Sequence, residues 1–376
     1  MKKFFTIRTN CIFCDNILNK SYFNSDYNIP IACYSKSEVS NDIIIPYNVY
    51  KCNVCKTTQT KYLGDLNEVY KMNHADNTGS IMKNLHINVT NLIKKYTGTI
   101  KNIVEVGSSK GTLSDLVLDE KLVDKYYIIE PTYIGTKREN KIIINDYFEN
   151  INFNKYKDAN TLIISHVFEH FYEPNKILKV IQNNLNIDNF FLVWPDLEFY
   201  KDNGIYHVLN TEHTFYVDNN FIIDLLNNYN FELIEKIYYT NHSVIFYFKR
   251  NFNLENRILI NKNHDISNYF NSLINKKELI QEFIKTNKKN GKTICIWPCS
   301  VHTQFLLIFL NNLDIDYVLD NSPKKINKYL YGHNLKCLSC SKEVTNNNNA
   351  VILNGGVFNK EIIKSINLDK QSVLFL

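Results

Sequence analysis

Residues 102–131 read NIVEVGSSKGTLSDLVLDEKLVDKYYIIEP. An apolar run carries Glu105, the chain turns through Gly107, Ser108, Ser109, Lys110 and Gly111, a helix is expected next, and a second apolar run stops at Glu130 and Pro131. This is a β-α-β half-site for a nucleotide-like cofactor. Its glycines let the backbone approach a ligand closely, and an acid ending the second strand can accept hydrogen bonds from two ribose hydroxyls.

A dinucleotide site places three glycines as GxGxxG, so that a pyrophosphate reaches the helix N-terminus. Here a serine stands where the middle glycine would be. A cofactor with a ribose and an adenine but no phosphate fits better, and S-adenosylmethionine is that cofactor. The expected contacts are Glu105, Gly107, Ser108, Ser109, Gly111, Glu130 and Pro131. Asp146, Tyr147 and Phe148 join them from the loop after the third strand, and His166 from the end of the fourth.

Outward from this unit, apolar positions at Ile81, Met82, Leu85, Val89, Leu92 and Ile93 keep a helical period over residues 80–96. Strands are expected near 126–130, 141–145, 161–165 and 189–194, with a helix over PNKILKVIQNNL before the last. Such alternation predicts a parallel α/β sheet. A helix over FIIDLLNNY then leads to FELIEKIYY and SVIFYFKR, two strand-like runs joined by a Thr-Asn-His turn. That hairpin puts an antiparallel strand into a seven-stranded sheet, the arrangement of the class I methyltransferase Rossmann-like core. Residues 251–285 read as a helical linker, and 286–376 as a second Rossmann-like α/β domain whose first turn, Trp297-Pro298-Cys299-Ser300, has no glycine loop.

The N-terminal 75 residues read differently. Cys11-Ile-Phe-Cys14 and Cys52-Asn-Val-Cys55 are two knuckles whose four thiolates can converge on one structural zinc ion, giving a zinc ribbon-like module ahead of a core over 76–250. A closed four-thiolate site leaves no place for a reacting water, so its work is folding. Cys337 and Cys340 form a third pair without further partners nearby in sequence. The chain has 376 residues, a net charge of +5 and no Lys/Arg stripe, so no nucleic-acid partner is expected. MKKFF gives way at once to TIRTN, and no run is long enough to span a bilayer; the expectation is a soluble cytoplasmic protein without membrane contact.

The order of parts resembles the three-domain sugar C-methyltransferases, which act on nucleotide-linked keto-deoxysugars. The resemblance rests on the cysteine pairs, on GSSKGTL, on Glu130-Pro131, on His166-Val167-Phe168-Glu169-His170 and on Glu212-His213-Thr214-Phe215-Tyr216. Asp320-Asn321-Ser322-Pro323-Lys324 with Gly332 extends it into the C-terminal unit. It implies His213 as the catalytic base, with His170 holding substrate or stabilising an enolate. Glu212 or a neighbouring carboxylate can orient the base or bind a sugar hydroxyl. Asn210-Thr211 stands where the family carries Tyr-His, so the expected phenol is absent unless Tyr206 or Tyr70 supplies it, and Lys110 replaces an acid of the loop.

Two other readings follow from the same residues. One is an oxygen or nitrogen methyltransferase of a sugar or other small molecule. The other is a catalytically silent binding protein built around the zinc ribbon.

Overall fold

The computed structural model describes residues 4–19, 21–33, 35–38, 42–71, 79–151, 156–184, 186–262, 265–311, 313–340, 348–364 and 372–376. Its central sheet has seven strands: β1 (Ile103–Val106), β2 (Tyr126–Ile129), β3 (Lys141–Ile144), β4 (Thr161–Ser165), β5 (Asn189–Pro195), β6 (Phe231–Tyr239) and β7 (Ser243–Arg250). Their order is β6-β7-β5-β4-β1-β2-β3. The first five pair in parallel, while β7 runs antiparallel to both β5 and β6. This is the class I methyltransferase fold that the hairpin predicts.

The central strands are apolar almost throughout because both faces of the sheet are covered. Val104, Val106, Ile129, Leu162, Ile164, Leu192 and Trp194 face one core. Ile103, Ile128, Ile163, Phe191 and Val193 face the other, under helices α1 (Ser80–Lys95) and α2 (Thr112–Asp119). The helical period read over 80–96 is the buried stripe Leu85, Val89, Leu92 and Ile93 of α1.

Five parallel strands form the C-terminal sheet: β8 (Thr293–Trp297), β9 (Tyr317–Asp320), β10 (Cys337–Ser339), β11 (Asn349–Leu353) and β12 (Val373–Phe375), in the order β10-β9-β8-β11-β12. Between the two sheets, residues 251–262 carry no regular element. Helices over Ser267–Asn275 and Lys277–Lys289 follow, the second packing against β8. The boundary read at 285 therefore falls inside a helix.

The N-terminal part is interleaved with its neighbours. Strands Ser21–Pro30, Ile44–Lys51 and Thr58–Thr60 take Phe215–Tyr216, from the core, as a fourth strand. Strand Ser35–Lys36 pairs with Tyr329–Leu330 of the C-terminal unit. Buried Arg8 donates to the carbonyls of Thr60 at 3.1 Å and Thr214 at 2.9 Å, tying the first residues to the segment just after His213. Among the described residues, no helix is long and apolar enough to cross a membrane.

Candidate active site

The loop after β1 shows why two glycines are needed. Gly107 has φ +77°, and a Cβ there would lie 2.2 Å from Val167 Cγ2. Gly111 has φ +71° and caps α2, with a Cβ position 2.5 Å from the Tyr133 hydroxyl. Both positions combine a left-handed backbone with no room for a side chain. Glu130 braces the same loop. One of its carboxylate oxygens accepts from the Ser109 N–H at 3.0 Å, and the other accepts from the Thr132 N–H at 3.0 Å and hydroxyl at 3.1 Å.

A cavity opens between this loop and the ends of β2 to β4. Val106, Gly107, Ser109, Ile129, Glu130 and Pro131 line one side. Asp146, Tyr147, Phe148, His166 and Val167 line another, and Tyr70, His170, Phe171 and Glu212 close the far end. Asp146 is fixed by the Tyr147 N–H at 2.7 Å and the Asn150 amide at 2.9 Å. Tyr147 donates to the Leu66 carbonyl at 3.0 Å, and the Phe148 ring stacks on Phe171. Apolar walls with the Glu130 carboxylate at the strand end suit an adenosine, whose base is flat and apolar and whose ribose presents two donors.

Glu105 is elsewhere. It alternates with Val104 and Val106, so its side chain projects with Ile103 to the opposite face of the sheet, where it is buried beside Tyr126. Burial pushes its carboxyl up to about 7, against the Ser108 hydroxyl that donates to it at 2.7 Å. Of the expected cofactor contacts, Glu105, Ser108 and Gly111 do not line this cavity; they shape the loop that does. Of the two strand-borne carboxylates, only Glu130 reaches it.

The far end gathers the imidazoles. His166 has φ +52°, which turns its ring so that Nε2 lies 2.8 Å from the Ser243 hydroxyl and Nδ1 3.5 Å from Glu169. His170 Nδ1 is 3.2 Å from the Tyr70 hydroxyl and 3.7 Å from Glu212. The His213 ring centre is 5.2 Å from that of His170, one layer behind the cavity wall, with Nε2 3.9 Å from Glu169 Oε1. Burial lowers the pKa of His213 to about 4, so its ring is neutral at neutral pH.

Two sequence expectations change here. Glu212 contacts His170 rather than His213, and the carboxylate nearest His213 is Glu169. Tyr206 is fully buried and donates to the Asn354 side chain, away from the cavity. Tyr70 is the phenol that meets His170 at this end of the cavity. Asn210, a departure from the family pattern, has a side-chain oxygen that accepts from the N–H groups of Glu212 at 2.9 Å and His213 at 2.8 Å. An Asn side chain commonly bonds the backbone two residues on, which is the local signal for this turn.

The four expected metal ligands come together at the other end of the N-terminal sheet. Cys11 and Cys55 sulfurs are 3.4 Å apart, as are those of Cys14 and Cys52, and all four lie within 4.8 Å of one another. The Gln59 amide donates to Cys11 Sγ at 3.3 Å and the Val54 N–H to Cys52 Sγ at 3.4 Å, the kind of support that thiolate ligands need.

Residues 240–371 match the family model described as the C-methyltransferase C-terminal domain. The chain is an S-adenosylmethionine-dependent methyltransferase. The match supports a C-methyltransferase family and covers the stretch from the β6–β7 turn through most of the C-terminal sheet. No curated protein sequence matches the chain. Among solved structures, it is similar to the methyltransferase domain of bacterial CtHen1-C, at 12% identity over 46% of this chain and 100% of that one, with a TM-score of 0.39. It is also similar to magnesium protoporphyrin IX methyltransferase (ChlM) from Synechocystis PCC 6803 with bound SAH, at 12% identity over 45% and 84%, with a TM-score of 0.35. The class I fold stands on the strand order itself.

Proposed function

We propose that the enzyme transfers a methyl group to a carbon of a nucleotide-linked keto-deoxysugar, with a structural zinc ion on Cys11, Cys14, Cys52 and Cys55. The observation that carries this reading is the histidine-rich corner adjoining the Glu130 cavity, taken with the C-methyltransferase match over residues 240–371. Glu130 would hold the ribose hydroxyls of S-adenosylmethionine, and Asp146, Tyr147 and Phe148 would receive its adenine. When bound, the cofactor supplies an electrophilic methyl group.

The residues of the far end then have distinct work. Carbon is a poor nucleophile until a proton next to the ketone is removed, so a base and an oxyanion donor are needed together. His213 is the base in this reading, and His170 with the Tyr70 hydroxyl faces the ketone oxygen. The absence of a Lys/Arg stripe in a chain of net charge +5 supports a small-molecule acceptor over nucleic acid.

His213→Asn should reduce turnover by about 100-fold or more while changing S-adenosylmethionine affinity by less than about threefold. Mass spectrometry of reactions with methyl-labelled donor and a panel of nucleotide sugars checks this: one panel member should gain a single labelled methyl. Labelling that persists at the wild-type rate in His213→Asn would remove His213 as the base. An oxygen or nitrogen acceptor on the same scaffold is the rival reading, and labelling of a simple hydroxyl or amine compound instead of any keto sugar would favour it.

A further inference from the structure

Glu169 is 2% exposed and sits between His166 and His170 on the segment that follows β4. Among the described residues, no group gives either of its carboxylate oxygens a hydrogen bond of ordinary length. A charge is kept in a protein interior only where something compensates it. The nearest ring nitrogens are His166 Nδ1 at 3.5 Å and His213 Nε2 at 3.9 Å. Burial pushes the carboxyl up, but the contact with His166 and the other imidazoles around it hold it below the usual carboxylate range.

The backbone makes this arrangement rigid. The Thr214 N–H donates to the Glu169 carbonyl at 2.9 Å, and the Thr214 hydroxyl donates to the Phe171 carbonyl at 2.7 Å. The segments carrying Glu169 and His213 are therefore stitched together, with Arg8 holding Thr214 from behind. The other charged or titratable groups around the pair include His166 and His170 on the Glu169 segment, Glu212 beside His213, Tyr70 from the N-terminal module, Tyr216, His242 from the β6–β7 turn and His302 from the C-terminal unit. Glu212 is turned to His170, which leaves Glu169 as the carboxylate that faces His213.

We propose that Glu169 is the positioning residue of the base: its carboxylate takes the Nε2–H of His213, leaves Nδ1 to receive the acceptor's proton, and carries the countercharge of the imidazolium that forms. This rests on the reading of His213 as base. In the transfer, the acceptor C–H bond breaks and its proton goes to His213. The electron pair forms the new bond to the methyl carbon, and the sulfur–methyl pair returns to sulfur. The positive charge thus leaves the sulfonium and reappears on the imidazole. A fixed anion beside that ring stabilises the product side of the step, and it also holds the tautomer.

Side-chain nitrogen-15 NMR of the full, zinc-loaded chain, with neither donor nor acceptor added, reads the His213 tautomer, assigned by comparison with His213→Asn. Wild type and Glu169→Asp should show His213 protonated at Nε2, and Glu169→Gln should show a mixture. In turnover, Glu169→Gln should lower kcat by about 100-fold with KM and donor affinity within about threefold, and Glu169→Asp should recover most of the loss. An unchanged tautomer in Glu169→Gln, or an unchanged kcat, overturns the proposal. So does stoichiometric uptake of a second divalent ion by wild type that Glu169→Gln abolishes, which would make the carboxylate a ligand. Because the tautomer is read without substrate, an error in the base assignment, seen as retained turnover in His213→Asn, remains separable from an error about this contact.

Discussion

Glu130→Gln is expected to weaken S-adenosylmethionine binding by about 10- to 100-fold, the largest loss from any single change of the cavity wall. Hydrogen bonds to a charged acceptor contribute roughly 1.5–3 kcal/mol, and each 1.4 kcal/mol is tenfold in affinity. The amide leaves one oxygen where there were two. It also turns an NH2 toward either the Ser109 N–H or the Thr132 N–H and hydroxyl, all of which the carboxylate now accepts from. The donor site thus loses an acceptor and the glycine loop loses a brace, both in the same direction. Calorimetric titration with S-adenosylhomocysteine measures it. An affinity within about twofold of wild type would place the ribose elsewhere.

Cys52→Ser is expected to abolish turnover by releasing the metal and undoing the N-terminal sheet. Four-thiolate zinc sites contribute apparent free energies of about 10–16 kcal/mol in small peptides, and even a part of that is comparable with the roughly 5–15 kcal/mol stability of a whole domain. The consequence reaches the acceptor end because Phe215–Tyr216, two residues beyond His213, is a strand of that same sheet. Turnover should therefore fall far more than affinity for S-adenosylhomocysteine, since Glu130, Asp146 and Phe148 belong to the central sheet and its loops. Atomic absorption should find one zinc per chain in the wild type and none in the variant. A variant without metal that turns over normally would contradict the account of the module.

What was legible in the sequence had a period or a fixed spacing. The strand ending at Glu130, the buried stripe of α1, the hairpin that supplies β7 and the two cysteine knuckles all announce themselves within a few residues. What was not legible depends on contacts between distant segments. Tyr206 was a reasonable phenol by position, but its partner Asn354 lies 148 residues away. Phe215–Tyr216 is too short to carry an alternation, so its place in the N-terminal sheet had no signal. Glu105 is a different case: the two-residue period that identified β1 also dictates that it points away from Val104 and Val106, and the cavity lies on the valine side. Glu169 had a local hint, lying between two histidines, while its approach to His213 across 44 positions needed the fold.

Carbon-13 NMR of the product made with methyl-labelled S-adenosylmethionine tests the central claim, that the histidine-rich end of the cavity removes a proton from carbon and directs the methyl there. The account predicts a labelled methyl bonded to a sugar carbon, with the neighbouring proton lost from the acceptor. A labelled methyl on oxygen or nitrogen, with every carbon-bound proton retained, would contradict it.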